Sequence, residues 1–342
     1  MNREETYKME VGYHQIIELA EKVIDGYTIS RKEAIDLINT SDKDTMLLLA
    51  MADKIRQKFS GEGVDFCAII NARSGHCPED CKFCAQSGWW KTGANVYKLL
   101  PENEIIAAAY KSKQAGAVRF SIVTSGRNQD NQNEFEEIIR VVKRIKEEVK
   151  IEVCCSLGLI TKTQAIRLKE VGITRVHCNI ETAPSYFPSI CTTHTMEDKE
   201  HIIRTAQRAG IRVCSGGILG LGESKEQRVE MAFKLKELHI DSIPLNILNP
   251  IKGTPFSQNK SLSPLEILRT FAVFRFILPK ALIRTAGGRE VNLRSLQALA
   301  INGGLNGIMV GGYLTTGGRN PVLDKQMIAD LGRTFTTPKI NF

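Results

Sequence analysis

The first fifteen residues, MNREETYKMEVGYHQ, hold no apolar stretch of the kind a secretory signal needs. No apolar run in the chain approaches the ~18 residues of a membrane span. Both absences lead to the expectation of a cytoplasmic protein with no membrane partner. In that compartment disulfides are a poor explanation for nine cysteines. Low-complexity segments and linkers are missing too, and no nucleic-acid recognition motif is present. The net charge of +8 is therefore not read as a nucleic-acid surface. Its cations are scattered among acids, as in KRIKEEVK at 143–150, which reads as a solvated helix face. Such a balance suits small anionic ligands.

The chain has 342 residues, 42% apolar and 25% charged, enough for two average domains or one large α/β barrel. Residues 1–62 read as helical, with apolar positions at three- and four-residue steps and a capping-box candidate at Ser30–Glu33. From residue 63 strand and helix patterns alternate. The strands are expected in VDFCAII, AVRFSIV, IEVCCS, ITRVHCNI, IRVCSG, DSIPLNIL, ALIRTA and NGIMVGG. Helices are expected over 102–115, 134–149, 163–171, 198–209, 224–238, 263–278, 291–302 and 322–331. Three helix-to-strand junctions, QAGAVRF, EVGITRV and RAGIRVC, place Gly116, Gly172 and Gly210 where a left-handed cap is needed. The rhythm predicts a (β/α)8 TIM-type barrel over 63–335 with an N-terminal helical extension and a tail at 336–342. A doubly wound open sheet is the alternative. In a barrel, chemistry belongs at the C-terminal strand ends.

Just past the first strand lies GHCPEDCKFCAQS, with Cys77, Cys81 and Cys84 spaced C-x3-C-x2-C. A closed zinc site needs four ligands. Cys67 or His76 is available as a fourth, but no second C-x2-C or H-x3-H arm exists. Three thiolates instead leave one iron of a [4Fe–4S] cluster open to a small molecule. In VHCNIE, alternation puts His177, Asn179 and Glu181 on one face and Cys178 on the other, where it reads as packing. Asn246 interrupts the apolar strand IPLNIL and needs a partner if buried. GGILGLGE, Gly216 to Glu223, lacks the G-x-G-x-x-G spacing of a phosphate loop and otherwise reads as a strand-exit turn.

With an aromatic, Phe83, before the last cysteine, the loop resembles that of the radical S-adenosylmethionine (SAM) superfamily. The wider runs NARSGHCPEDCKFCAQSGWWKTG, CSLGLITKTQAIRLKEVGI, NIETAPSYFPSICTTHT, GIRVCSGGILGLGES, IPLNILNPIKGTPF and LIRTAGGRE, in that order, resemble the biotin synthase family over roughly residues 8–335. The resemblance implies that SAM chelates the open iron and is cleaved by one electron to a 5′-deoxyadenosyl radical. The radical takes hydrogens from C9 and C6 of dethiobiotin, and an auxiliary Fe–S cluster supplies the inserted sulfur. It further implies SAM contacts at Phe83, Asn179, Glu181, Gly216, Ile218, Gly220 and Glu223. Lys199 matches a family arginine that pairs with the SAM carboxylate. Substrate contacts fall at His177 and Asn246.

The family's auxiliary cluster, usually [2Fe–2S], uses three cysteines and an arginine. Cys154, Cys214 and Arg284 match three of those positions, but Ser121 stands at the fourth. Cys67, on the neighbouring first strand, is our expected substitute, and the cluster type is then [2Fe–2S] or a cubane. Cys155 alternates outward and Cys191 is assigned no role. A flavodoxin or ferredoxin electron donor and a homodimer are family expectations. Two other readings stay open: a related radical SAM mutase or maturase with another substrate, and a non-catalytic Fe–S or zinc protein.

Overall fold

The computed structural model describes residues 12–337; the ends of the expected N-terminal segment and tail, 1–11 and 338–342, lie outside the described residues. Among the described residues there are nine strands: β1 Asp65–Arg73, β2 Arg119–Thr124, β3 Glu152–Ser156, β4 Arg175–His177, β5 Arg212–Cys214, β6 Gly217–Leu219, β7 Ser242–Ile247, β8 Leu282–Thr285 and β9 Gly307–Met309. All pair in parallel in the order β5-β4-β3-β2-β1-β9-β8-β7-β6, and β5 also pairs with β7. That last pairing closes the sheet, so the open doubly wound alternative is wrong. β5 and β6 occupy one barrel position, interrupted at Ser215–Gly216, which leaves eight positions and a (β/α)8 barrel.

Outward-facing strand residues such as Phe120, Ile122, Val153, Val213, Ile243, Ile283 and Ile308 are buried under the helices. These apolar residues alternate with the inward set, as the two-residue strand period requires. The strand expected in NGIMVGG shortens to three residues, and β6 was not anticipated within GGILG. Gly116, Gly172 and Gly210 take φ of +93°, +89° and +72°, the left-handed caps expected of them. Helix Gln132–Arg144 ends in a π turn, Ile145–Val149, whose Lys146, Glu147 and Glu148 are exposed while Ile145 and Val149 are buried. The helix expected over 291–302 breaks into Arg289–Leu293 and Gln297–Asn302 around Arg294, at φ +52°.

Helix Tyr13–Ile24 packs on Thr45–Ser60, which packs on Pro264–Ile277, and Arg31–Ile38 packs against Lys225–Glu237 and Pro264–Ile277. The Ser30–Glu33 capping box forms: Glu33 N donates to Ser30 Oγ at 3.2 Å, and Ser30 N to the Glu33 carboxylate at 2.6 Å. Helix Pro264–Ile277 is buried continuously from Ile267 to Ile277, which explains its apolar sequence on every face. No helix among the described residues is long and apolar enough to cross a membrane.

Candidate active site

The loop after β1 turns on Gly75 and His76, both at positive φ. Backbone bonds then close it on itself: Cys77 N donates to Gln86 O (3.1 Å), Gly88 N to Cys77 O (2.7 Å) and Cys84 N to Cys81 O (3.0 Å). Trp90 Nε1 holds Cys81 O at 3.0 Å, and Trp89 Nε1 holds Pro78 O at 2.8 Å. The paired tryptophans thus satisfy carbonyls of a loop with no secondary structure of its own. Cys77, Cys81 and Cys84 are half-buried free thiols. Burial, then neighbouring Cys77, pushes the Cys84 thiol up to about 11. A thiol held protonated in this way suits a bound cation, which reverses that cost. The three thiols do not converge on a single point. Among the described residues only Cys81, Cys191 and His194 bring three ligand atoms within 4.8 Å of one another. His76 is exposed and Cys67 lies within the barrel, so neither completes a four-ligand zinc knuckle.

Cys191 is the residue that sequence reasoning missed. Asp80 draws the segment 190–194 onto the cysteine loop, accepting from Thr192 N at 2.8 Å and Thr193 N at 3.2 Å. Cys191 Sγ then lies 3.8 Å from Cys81 Sγ and 3.2 Å from His194 Nδ1, whose ring also meets Glu79 at 2.5 Å. Here Cys81 donates to Cys191. That bond, followed by burial, pushes the Cys81 thiol up; on Cys191 the same bond outweighs burial and, with His194, lowers it to about 4. The legible signal was the C-x2-H spacing in ICTTHT.

A cavity of about 390 Å³ opens at the C-terminal strand ends. Phe83, Cys84, His177, Asn179, Glu181, Lys199, Ile218 and Asn246 line it, together with Cys67, Ser121, Cys214 and Arg284 further in. Cys178 lines it as well, so its expected packing role is incomplete; it also belongs to the apolar core. Gly216, Gly220 and Glu223 stand behind the wall. A Cβ on Gly216 would lie 1.9 Å from Pro244 O, so glycine is what lets the strands approach. Buried Glu223 accepts from Gly220 N (2.8 Å) and Arg228 Nε (2.7 Å), bracing the turn. Asn179 Oδ1 accepts from Gly216 N at 3.1 Å. Asn246 finds partners on both sides, Gly217 O at 3.4 Å and Gly287 N at 3.0 Å.

Glu181 sits at φ +65°, turned back beside Lys199. Burial raises its carboxyl, against the pull of Lys199. Burial acts downward on the Lys199 ammonium, but neighbouring Cys178, Glu181 and Cys81 leave it raised overall. A cation and an anion on one wall match the two ends of a zwitterion.

Deeper in, neighbouring strands of a tilted barrel climb by roughly one residue per strand, so residues at one height come from alternate strands. The registers Cys67↔Arg119, Ser121↔Cys154, His177↔Cys214, Pro244↔Arg284 and Cys67↔Met309 place Cys67, Cys154, Cys214 and Arg284 in one such layer. Ser121, His177, Pro244 and Met309 form the layer above, so Ser121 is not level with the three thiols. Burial pushes the Cys67 thiol up while the Arg284 guanidinium, hydrogen-bonded to it, pulls down. Cys214 Sγ is 3.3 Å from Ser242 Oγ, which also takes Arg284 Nη2 at 3.2 Å. Ser121 Oγ, His177 Nε2 and Arg284 Nε are buried without hydrogen-bond partners among the described residues. Three buried thiols ringed by unsatisfied polar atoms fit a sulfide-bearing cluster better than a packed barrel core, where branched aliphatics are the rule.

A closed barrel with three loop thiols at its mouth is the arrangement of radical SAM enzymes. Residues 72–235 match the radical SAM superfamily model, and 244–334 the Biotin and Thiamin Synthesis associated domain. Methylornithine synthase (PylB) shares the fold at TM-score 0.82 and 20% identity, over 93% of this chain and 97% of its own. HydG, a maturase of the [FeFe]-hydrogenase, does so at TM-score 0.81 and 18% identity, over 95% and 76%. Sequence is more specific. Biotin synthase from Carboxydothermus hydrogenoformans is 50% identical over 94% of this chain and 99% of its own length. Those from Desulforudis audaxviator and Geobacter sulfurreducens are also 50% identical, over 93% and 92% of the chain and 96% of each relative. The chain belongs to the biotin synthase family.

Proposed function

We propose that the protein converts dethiobiotin to biotin by radical SAM sulfur insertion. The carrying observation is that one cavity joins the two donor sets, with Cys84 and Phe83 at its mouth and Cys67, Cys214 and Arg284 toward its floor. When bound, the [4Fe–4S] cluster with SAM supplies the 5′-deoxyadenosyl radical, and the auxiliary cluster supplies the sulfur. Cys77, Cys81 and Cys84 hold the first cluster and leave one iron for SAM. Lys199 faces the SAM carboxylate, while Asn179 and Glu181 offer oxygens to its ribose hydroxyls. Phe83, Ile218 and the turn Gly216–Glu223 form the adenine side. His177 and Asn246 orient the substrate between the two clusters. Cys67, Cys154 and Cys214 hold the auxiliary cluster, with Arg284 ligating it or beside it. The walls keep water from the reacting carbons.

Within the described residues, 12–62 serve as a helical segment packed on the barrel. A flavodoxin or ferredoxin supplies the electron, and the protein works in the cytoplasm as a homodimer. Anaerobic reconstitution with SAM, dithionite and dethiobiotin tests the reading. Biotin and 5′-deoxyadenosine are expected. 5′-Deoxyadenosine without biotin overturns the substrate, and neither product overturns the enzyme.

A further inference from the structure

The lower barrel breaks the usual packing rule. Beneath the thiol layer, at positions that branched aliphatics normally fill, stand Arg119 on β2 and Arg175 on β4, 7% and 4% exposed. With Arg284 they make three buried guanidiniums. The fully buried Asp65 lies among them, paired with Arg119 and 3.2 Å from Arg284 Nη2. Arg119 also meets Glu152 (2.9 Å), and Arg175 meets Asp241 (2.6 Å), both toward the outer rim. Those three carboxylates balance the three guanidiniums, so the excess of positive charge in this region comes from the lysines at the rim.

Arg119 and Arg175 line two spaces at once. On their inner side is a narrow cavity shared with Cys67, Ser121, Cys154, Cys214 and Arg284. Cys154 borders this inner space and not the upper cavity. On their outer side is a basin of about 540 Å³ at the N-terminal mouth, also walled by Lys146, Lys169, Arg212, Thr174 and Glu152. Five cations and one carboxylate line that basin. Lys146 and Lys169 cap Gly172 O and Gly210 O at the ends of their neighbouring helices, which fixes their ammonium groups at the rim.

We propose that this basin is a binding site for a small sulfur anion, hydrosulfide, which passes between Arg119 and Arg175 to reach the thiol layer. The inference rests on the sulfur-insertion reading and gives that site its supply route. The C-terminal mouth is where SAM and dethiobiotin bind, so a replacement sulfur arriving there competes with both. The opposite mouth is free of them and carries the right charge. Guanidinium groups are weakly hydrated, directional donors, suited to handing an anion inward.

The test uses the reconstituted full-length enzyme and heavy-isotope inorganic sulfide. Thr174→Trp places an indole in the basin, and Lys169→Glu reverses a rim charge; both positions are exposed. First-turnover biotin, made from sulfur already bound, should match wild type. Uptake of heavy sulfur into the auxiliary site, and its appearance in later biotin, should slow roughly tenfold in each variant. Wild-type uptake should also fall as ionic strength rises. Uptake at the wild-type rate in both variants, or uptake indifferent to salt, overturns the proposal. Absence of first-turnover biotin in the wild type overturns the functional reading instead.

Discussion

Asp65 and Arg284, from opposite ends of the barrel sequence, meet 3.2 Å apart with side chains almost fully buried, and Arg119 shares the same carboxylate. One anion therefore serves two guanidiniums beneath the thiol layer. Asp65→Asn leaves both arginines buried against a neutral amide. The expected cost is about 3–5 kcal/mol, the usual result of stripping a buried ion pair of one partner. Urea unfolding should show a lower midpoint at unchanged slope.

Cys67 and Ser121 lie on adjacent strands but in different layers, and only Cys67 is level with Cys154, Cys214 and Arg284. Cys67→Ser should lose the auxiliary cluster's iron and sulfide and keep the loop cluster, whereas Ser121→Ala should leave both. Iron and acid-labile sulfide analysis, with Mössbauer spectra, reads this directly. Full auxiliary content in Cys67→Ser sinks the assignment.

Much of this was visible in the sequence because local physics and tertiary structure agree. Glycine caps, the alternation that turns Cys154 inward and Cys155 into the helix layer, and the capping box at Ser30 each act within a few residues. What escaped depends on distance. The break of β5 into β6 is forced by Pro244 O against Gly216 and by Glu181 O against Gly217, contacts made across other strands. The Cys191–Cys81 approach spans 110 positions and exists because Asp80 gathers the 190–194 backbone. The shared height of Cys67, Cys154, Cys214 and Arg284 follows from barrel stagger, which no single strand encodes.

Gly216, behind the cavity wall, leaves no room for a side chain. A methyl there would stand 1.9 Å from Pro244 O and 2.8 Å from its carbon, both backbone atoms that cannot swing away. Gly216→Ala should push β5–β6 from β7 and cost upward of about 1–3 kcal/mol, the ordinary range for overpacking. Thermal unfolding should report the loss, and SAM affinity should fall with it because Asn179 Oδ1 anchors on Gly216 N.

Glu181 gives two opposed pH signatures, one in stability and one in SAM binding. Burial raises the Glu181 carboxyl, so the folded protein binds that proton more readily than the unfolded chain. Its contribution to stability is therefore present at low pH and declines as pH rises from the unfolded toward the folded pKa. SAM binding should move the other way, weakening as Glu181 protonates and loses its charge. Calorimetric SAM titrations from pH 7.5 downward should show this, and Glu181→Gln should flatten it. Lys199→Ala should weaken SAM about tenfold, near 1.4 kcal/mol, with Lys199→Arg restoring most of it.

Cys191 sets the reactivity of Cys81 before any metal arrives. The bond between their sulfurs, more than burial, holds the Cys81 proton in place, while Asp80, Thr193 and His194 fix Cys191 on its other side. Cys191→Ala removes the acceptor and leaves burial and neighbouring Cys84 to oppose ionisation. Cys81 in the metal-free chain should then be alkylated faster by iodoacetamide at neutral pH, since the thiolate is the reacting form. Peptide mass spectrometry resolves the three loop cysteines. Cys77, whose backbone is held by Gln86 and Gly88 rather than by the 190–194 segment, should keep its wild-type rate. Equal acceleration at Cys77 and Cys81 would mean that the whole loop has loosened, and an unchanged Cys81 rate would mean that the sulfur–sulfur contact does not govern its proton.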